Sequence, residues 1–228
     1  MDDAQANVKN YYVSGELYDW VTDPRALEKV FHMRRAGIAK RVIGRLPTTL
    51  AIDVGCGTGL ITASIRAKVL VGLDINRWNL NRAKARIRHA DFVQCDAEHL
   101  PLRDSISDLT VCTEILEHLT HPKRALEEIA RVLKTDARVV GSVPSNSPLW
   151  KLRNLLSVTH PQSEPFHNNF SRRSFKDLLS TAFGQYDVYF ENFFMNIFFV
   201  AYAPKGKWNP LNTPQIGNEP ACSRKTDC

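Results

Sequence analysis

The segment that most constrains the fold is Asp53-Val54-Gly55-Cys56-Gly57-Thr58-Gly59, which holds three of the chain's 11 glycines. An apolar run over residues 49–54 predicts a buried strand before it, and residues 60–66 have the pattern of a helix after it. Glycine permits positive φ and lets a ligand approach the main chain, and a helix N-terminus supplies unpaired N–H groups. The segment therefore predicts a cradle for a polar ligand, with a purely structural tight turn as the alternative.

Strands and helices alternate along most of the chain. The predicted elements are helix 24–45, strand 49–54, helix 60–66, strand 69–74, helix 77–88, strands 92–95 and 109–113, helix 122–133, strand 138–143, helix 172–183, and an antiparallel strand pair at 186–190 and 197–203. Strands connected through helices run parallel, and such a sheet is covered by helices on both faces. The sequence therefore predicts an α/β fold with a Rossmann-like, mostly parallel sheet.

Composition places the chain among ordinary globular proteins. Of its 228 residues, 43% are hydrophobic and 24% are charged, which excludes the disordered, collagen-like and coiled-coil classes. The five cysteines are an odd number without a CxxC pair, so they indicate neither a disulfide framework nor a zinc knuckle. The acidic start does not resemble a signal peptide, and no apolar stretch approaches the roughly 20 residues of a membrane-spanning helix. We therefore expect a cytoplasmic protein without a transmembrane segment.

The net charge of +6 is compatible with an anionic partner but does not require one. Much of the positive charge lies on the predicted outer helices 24–45 and 77–88. A solvated helix face is the usual meaning of such charge, and contact with RNA or an anionic membrane surface is the alternative. A small molecule is therefore the expected partner, nucleic acid is not favoured, and the oligomeric state stays open.

An acidic residue at the end of the second predicted strand indicates what the ligand contains. Asp74 lies 74 − 55 = 19 positions after Gly55, where a carboxylate can accept hydrogen bonds from both ribose hydroxyls of a nucleoside. A dinucleotide is disfavoured, because Leu60 stands where a third glycine or alanine is expected and Asp53 would repel a pyrophosphate. The sequence thus predicts a ligand with a ribose and a cationic end.

Five motifs, in this order, resemble those of class I S-adenosylmethionine-dependent methyltransferases. They are DVGCGTG (53–59), LDIN (73–76), QCDAEHLPL (94–102), EILEHL (114–119) and RALEEIARVLK (124–134). The resemblance covers residues 49–143 and is greatest to the small-molecule and quinone-precursor O-methyltransferase branch. It implies a seven-stranded sheet with an antiparallel last strand, and S-adenosylmethionine as the cofactor. One departure is at residues 134–137, Lys-Thr-Asp-Ala, where relatives commonly have a Pro-Gly-Gly turn.

The same resemblance assigns the cofactor-binding residues. Asp53, Gly55, Cys56, Gly57 and Gly59 would hold the methionine part, Asp74 and Ile75 the ribose, Asp96 and Ala97 the adenine, and Glu114 would face the cofactor and the acceptor. A sulfonium already makes its methyl group electrophilic, so the protein mainly aligns the acceptor and excludes water. A base is needed only where the acceptor carries a proton that must leave.

Candidate acid–base residues follow the fourth predicted strand. If residues 114–118 begin a helical turn, Glu114, Glu117 and His118 share one face. Glu117, His118 and His167 are the candidate catalytic residues, with His118 or His167 as the base. In some quinone-precursor and small-RNA 2′-O-methyltransferases a similar element binds a divalent metal, which here would take Glu114, Glu117, His118 and His167. A metal-free polar wall is favoured over that site, and a structural helix start is the third interpretation.

The resemblance predicts one methyltransferase domain over residues 1–204, and the proline-containing composition of residues 205–228 predicts a disordered tail. Residues 1–45 would form a helical lid in which Tyr11 and Tyr12 could line an acceptor pocket, and residues 144–170 a second lid. The alternative is that the apolar residues of these segments only pack them onto the domain. The predicted function is methyl transfer from S-adenosylmethionine to a small, hydroxylated aromatic or lipid-like acceptor. The alternatives are an RNA 2′-O-methyltransferase that uses the metal site, and a non-catalytic adaptor that binds the cofactor.

Overall fold

The computed structural model describes residues 3–14, 26–44, 48–149 and 167–203. The strands are β1 (Leu50–Val54), β2 (Val69–Asp74), β3 (Asp91–Gln94), β4 (Ser107–Thr113), β5 (Leu133–Pro144), β6 (Gln185–Glu191) and β7 (Asn196–Tyr202). The helices are α1 (Asp3–Ser14), α2 (Ala26–Ile43), α3 (Arg77–Arg86), α4 (Pro122–Val132) and α5 (Arg172–Ser180), with single 3-10 turns at Thr62–Ser64 and Leu116–His118. The predicted tail, and residues 15–25 and 150–166 of the predicted lids, lie outside the described residues.

All seven strands belong to one sheet, in the order β3-β2-β1-β4-β5-β7-β6. Neighbouring strands from β3 to β5 run parallel, whereas β7 runs antiparallel to both β5 and β6. The predicted Rossmann-like, mostly parallel sheet with an antiparallel last strand is confirmed. The chain leaves β1 toward β2 on one side and later returns to β4 on the other, which makes a switch point at the carboxyl edge. The glycine segment lies at this switch point, where open α/β sheets bind their ligands.

Helices cover both faces of the sheet, as predicted. On one face, buried residues of α4 and α5, such as Leu126 and Phe175, form a core with the strands. On the other face, Ile38 of α2 belongs to a second core. Val139 of β5 lies in the first core and Val140 in the second, because successive strand residues point to opposite faces. Among the described helices, none combines the length and the apolar character needed to cross a membrane.

Two helices begin at side-chain caps. The Asn76 side chain accepts a hydrogen bond from the Asn79 N–H at 3.1 Å and starts α3. Ser171 and Ser174 form a reciprocal capping box at the start of α5. Such caps satisfy N–H groups that the first helical turn leaves without partners. The predicted helix start at Ser171 is confirmed, although α5 ends at Ser180 rather than at residue 183.

The helix predicted over residues 60–66 is wrong, since this stretch contains only the 3-10 turn Thr62–Ser64. The Thr62 hydroxyl donates a hydrogen bond of 2.6 Å to Asp53 Oδ2, which holds the turn against β1. Ile65 already has an extended backbone, with ψ of 132°, as the chain approaches β2. An α-helix N-terminus therefore does not stand behind the glycine segment, and the N–H groups of the cradle belong to the loop itself.

Strand β5 begins earlier than predicted. The residues expected to form a surface turn, 134–137, lie within the strand as a bulge, because pairing with β4 jumps from Leu133 to Arg138. Asp136 has φ of 63°, a conformation that aspartate tolerates better than most residues. The departure from the usual glycine turn therefore changes an irregular strand end that is remote from the carboxyl edge.

Candidate active site

The glycine segment forms a tight loop directly after β1. The N–H groups of Gly55 and Cys56 donate to the Leu73 carbonyl oxygen at 2.8 and 2.9 Å, which fastens the loop to the end of β2. Gly55, Gly57 and Gly59 have φ of 72°, 53° and 91°, a region that other residues rarely adopt. Burial raises the pKa of the Cys56 thiol well above its usual range, so we expect Cys56 to act through its backbone and not as a nucleophile.

The room for a Cβ atom differs among the three glycines of this loop. A Cβ atom on Gly55 would lie 2.5 Å from Ile115 Cδ1, and one on Gly59 would lie 2.6 Å from Ile87 Cδ1. A Cβ atom on Gly57 would meet no heavy atom of the described residues within 4 Å. Gly55 is required by packing, since Ile115 Cβ would lie 2.9 Å from the added atom, and Gly59 is required by its φ of 91°. Gly57 presents bare backbone to open space.

Asp74 is tied to the same loop. Its Oδ2 atom accepts a hydrogen bond from the Gly57 N–H, and its Oδ1 atom one from the Asn76 N–H, both at 2.8 Å. Burial raises the pKa of Asp74, although these hydrogen bonds and one from the Asn79 side chain oppose the rise. The carboxylate therefore stands at the carboxyl end of β2 beside the glycine loop, as the sequence predicts for a group that binds ribose.

Asp53 is a buried carboxyl group with one oxygen unused. Thr62 donates to Oδ2, while Oδ1 has no hydrogen-bond partner among the described residues. Burial raises the pKa of Asp53 to about 7, the nearby Asp74 adds to the rise, and the Thr62 hydrogen bond opposes it. A buried acceptor without a donor is costly, so this oxygen fits a cationic or hydrogen-bond-donating ligand group.

The predicted adenine-binding pair lies in the loop after β3, next to the end of β2. Asp96 accepts a hydrogen bond of 2.9 Å from the Glu98 N–H and forms an ion pair of 2.5 Å with Lys9 of α1. Burial raises the pKa of Asp96, but hydrogen bonds from Lys9 and Glu98 outweigh it and hold the pKa below its usual range. Ala97 is buried and Ile75 half-buried at this edge of the sheet.

Helix α1 lies across these loops. Besides the ion pair from Lys9 to Asp96, the Tyr12 carbonyl oxygen accepts a hydrogen bond of 2.7 Å from the Asn76 side chain. The Tyr12 hydroxyl lies 2.8 Å from His118 Nδ1. Lys9 was not predicted as a site residue, because a single lysine before the first motif carries no signal. Tyr12 was predicted only as an apolar lining residue, and its polar contact depends on tertiary structure.

The turn Leu116–His118 brings the three candidate catalytic residues together. Glu117 is buried, and its Oε1 atom lies 3.7 Å from His118 Nε2. The rings of His118 and His167 pack edge to face, with centroids 5.4 Å apart. The Asn168 N–H donates to the Glu117 carbonyl oxygen at 2.7 Å, which holds the segment that carries His167 against this turn. Two imidazoles and a buried carboxylate therefore share one corner of the site, and their catalytic roles stay predictions.

Glu114 is engaged by a different set of residues. Ser142 donates to Oε1 at 2.7 Å, and the Asn196 amide lies 3.1 Å from both carboxylate oxygens. Arg35 of α2 completes the group with an ion pair of 3.1 Å. Glu114 thus joins α2 to strands β5 and β7, and its predicted contact with the cofactor stays a prediction.

The shared face predicted for Glu114, Glu117 and His118 is wrong. Glu114 has φ of 53° and precedes the 3-10 turn, so helical spacing does not apply to it. Within the part of the chain that the structure describes, which includes His167, no group of three histidine, cysteine or acidic side chains is placed to hold a metal ion. The residues present therefore do not form the Glu/Glu/His/His metal site.

Comparisons with known proteins agree with this geometry. Residues 52–141 match the family described as a methyltransferase domain. The chain is 29% identical over 136 residues to the ubiquinone biosynthesis O-methyltransferase of Nitrosomonas europaea, covering 55% of this chain and 58% of that protein. It is 30% identical over 140 residues to the chloroplastic 2-methyl-6-phytyl-1,4-hydroquinone methyltransferase of Arabidopsis thaliana, covering 58% and 41%.

Another relative is named for a different activity. The chain is 28% identical over 153 residues to a mitochondrial arginine-hydroxylase of Danio rerio, covering 64% of this chain and 48% of that protein. The chain thus spans about half the length of the curated relatives it matches. Among solved structures, the N-methyltransferase NodS of Bradyrhizobium japonicum, in complex with S-adenosylhomocysteine, shares the fold with a TM-score of 0.61 and 15% identity, covering 89% of this chain and 100% of that one.

The strand order and the loop that joins Gly57 to Asp74 define a Rossmann-like domain with a glycine loop at its carboxyl edge. Residues 52–141 of this domain belong to the methyltransferase-domain family, and the sheet has the fold of the class I S-adenosylmethionine-dependent methyltransferases. Its residues fit that cofactor. The unpartnered Oδ1 of Asp53 suits the ammonium of the methionine part, and the open side of Gly57 leaves room for the ligand beside the Asp74 carboxylate.

Proposed function

We propose that the chain transfers the methyl group of S-adenosylmethionine to a hydroxyl oxygen of a small, aromatic or lipid-like acceptor. The observation that carries this proposal is the position of His118, whose Nδ1 atom lies 2.8 Å from the phenol hydroxyl of Tyr12. Tyr12 is itself fixed to Asn76 beside the cofactor loop. The site therefore holds a phenolic hydroxyl against an imidazole next to the place of the cofactor.

The chain's own residues divide the work of the reaction. S-adenosylmethionine supplies an electrophilic methyl group when bound. Asp53, Asp74 and Asp96 would hold its ammonium, ribose and adenine, and the lowered pKa of Asp96 keeps that carboxylate ionised. His118, next to the buried Glu117, is suited to take up the proton of the acceptor. Alignment of the two reactants accounts for up to about 7–11 kcal/mol of the barrier in such sites.

Two observations support the class of acceptor. Relatives named as ubiquinone and hydroquinone methyltransferases act on hydroxylated or quinone-type rings by their names. The turn between β6 and β7 exposes Phe193 and Phe194 by 55% and 63%. A hydrogen bond of 2.9 Å from the Ser145 N–H to the Met195 carbonyl oxygen holds this turn at the carboxyl end of β5. Exposed apolar surface at this edge suits an acceptor with an apolar body.

The alternatives receive less support. The metal-dependent RNA 2′-O-methyltransferase needs the Glu114 carboxylate, which Arg35, Ser142 and Asn196 already bind. The net positive charge by itself does not select RNA. A non-catalytic adaptor would have no use for a base fixed beside the cofactor loop, as His118 is.

The proposal is tested with S-adenosylmethionine whose methyl group carries an isotopic label. The purified chain is incubated separately with small-molecule extract, lipid extract and total RNA, and each fraction is analysed by mass spectrometry. Asp74→Ala is the negative control, and Asp91→Ala, at an exposed carboxylate on β3, is the matched variant that should stay active. We expect label in a hydroxylated small molecule or lipid. Label confined to RNA, or absent from every fraction while the cofactor binds, would overturn the proposal.

A further inference from the structure

We infer that Tyr12 is the residue through which His118 takes up the acceptor's proton, so that the base of this site is a pair formed by α1 and the turn after β4. The inference rests on the proposed methyl transfer to a hydroxyl group. Its first observation is the contact of 2.8 Å between the Tyr12 hydroxyl and His118 Nδ1. This contact joins residues that are 106 positions apart in the sequence.

The buried carboxylate of Glu117 lies on the Nε2 side of His118 and favours the proton on that nitrogen. Glu117 Oε1 lies 3.7 Å from Nε2, and the Glu117 side chain is 1% exposed. A carboxylate at this distance favours an N–H at Nε2 and disfavours a lone pair there. The lone pair of the neutral imidazole is therefore at Nδ1, which faces the Tyr12 hydroxyl. Tyr12 consequently donates its hydrogen bond to His118.

The surroundings of the ring fix this arrangement. The Tyr12 ring lies 5.2 Å from the His118 ring, and the His167 ring packs on edge against His118 at 5.4 Å. The backbone of Tyr12 is held separately, since its carbonyl oxygen accepts from the Asn76 side chain at 2.7 Å. Because Nδ1 already contacts the phenol, the proton of an acceptor hydroxyl would reach His118 through the Tyr12 oxygen.

The acceptor's proton would reach His118 through two linked transfers. The acceptor O–H bond breaks and its proton passes to the Tyr12 oxygen, while the proton of Tyr12 passes to His118 Nδ1. The acceptor oxygen keeps the electron pair of that bond for the new bond to the methyl carbon. The bond from that carbon to the sulfonium sulfur would break at the same time, and its electron pair would stay on sulfur, which gives neutral S-adenosylhomocysteine. Tyr12 ends as a neutral phenol and His118 as an imidazolium beside the Glu117 carboxylate, and the imidazolium returns its proton to water after the products leave.

The first test does not need an acceptor. Nuclear magnetic resonance of the full chain, with nitrogen-labelled histidine and bound S-adenosylhomocysteine, reports the tautomer of His118. We expect an Nε2–H tautomer whose Nδ1 accepts a hydrogen bond, and we expect Tyr12→Phe to shift the Nδ1 resonance toward that of a free lone pair. Tyr11→Phe is the matched control. Tyr11 packs edge-on against Tyr12, and its ring contact is with Tyr12 rather than with His118. An Nδ1–H tautomer, or an Nδ1 resonance that Tyr12→Phe leaves unchanged, overturns the inference.

The second test measures rates with catechol and the more acidic nitrocatechol as acceptor probes. Tyr12→Phe should lower kcat for catechol by about 100-fold with little change in KM, which is the lower end of the range for a lost proton-transfer group. The loss should shrink for nitrocatechol, whose proton leaves more readily, whereas a merely structural role would affect both probes equally. A faster Tyr12→Phe enzyme would mean that Tyr12 blocks His118 and would overturn the inference. If the wild-type chain methylates neither probe, the proposed function is in question and the resonance test decides the inference alone.

Discussion

Asp74 accepts a hydrogen bond from the main-chain N–H of Gly57 at 2.8 Å, and this contact joins the loop after β1 to the end of β2. The second oxygen of Asp74 binds the N–H of Asn76 at the start of α3. One carboxylate therefore organises the two loops that would surround the adenosine part of the cofactor. The site is held in shape by the protein's own hydrogen bonds, which reduces the ordering that ligand binding must impose.

Gly57→Ala should weaken cofactor binding more than it weakens the fold. Gly57 has φ of 53°, which costs a residue with a Cβ atom about 1–2 kcal/mol. The added Cβ would point into open space, where the ligand approaches the backbone. We expect calorimetry with S-adenosylhomocysteine to show an affinity loss well beyond the modest loss of unfolding free energy in urea. Gly184→Ala, at a glycine with equal space and ordinary φ, is the control and should change neither quantity. Unchanged affinity in Gly57→Ala would contradict this assignment.

Asp53→Asn should change how stability depends on pH. The folded-state pKa of Asp53 is raised to about 7 from 3.8, so the folded protein holds this proton more firmly than the unfolded chain does. The stability of the wild type without ligand therefore falls as pH rises from about 4 to about 7, by up to about 4 kcal/mol from this group alone. The asparagine variant lacks this loss, so it should be more stable than the wild type at pH 8 and nearly equal at pH 4.

Thermal melting at both pH values measures this difference. S-adenosylhomocysteine serves as an internal control, because its ammonium would pair with ionised Asp53 and should stabilise the wild type more than the variant at pH 8. A variant that is less stable than the wild type by the same amount at every pH would show that Asp53 does not titrate in this range.

Glu114→Ala should destabilise the domain far more than an equivalent change at the surface. Glu114 binds Arg35 and Asn196, and the side chains of Glu114 and Arg35 are only 13% and 14% exposed. Removing the carboxylate leaves a largely buried guanidinium without its partner, so we expect a loss of about 2–4 kcal/mol in urea unfolding. Glu127→Ala, at an ion pair whose side chains are more than half exposed, should cost less than about 1 kcal/mol. Equal losses in the two variants would contradict the structural role of Glu114.

The parts of this domain that the sequence predicts well are those set by local pattern. The buried strand ending in Val54 and the amphipathic helix α4 are predicted correctly because apolar periodicity and burial coincide there. The helix expected after Gly59 is absent because the chain is already extended at Ile65 on its way to β2, while the Thr62 side chain fastens the single turn to Asp53. The helical face predicted for Glu114 is wrong for a similar reason. Its positive φ and its partners on three other elements cannot be read from local sequence spacing.

The residues of the candidate site also fall into those that local sequence predicts and those that it does not. The glycine loop and Asp74 are predictable because a strand, a turn and a second strand bring them together through short connections. Lys9 and the polar contact of Tyr12 are not, since they reach the site from a helix whose packing the sequence does not specify. Motif spacing therefore identifies the cofactor half, whereas the acceptor half requires the folded structure.

The most direct test of the account is isothermal titration calorimetry of the full chain with S-adenosylhomocysteine. We predict saturable binding that Asp74→Ala weakens at least about 100-fold, because hydrogen bonds to a charged group contribute about 1.5–3 kcal/mol each. Asp91→Ala, an exposed carboxylate on the neighbouring strand, should bind like the wild type. Circular dichroism of the two variants would verify that both are folded. No heat of binding in the wild type, or equal affinity of the wild type and a folded Asp74→Ala variant, would contradict the assignment of this edge of the sheet as the cofactor site.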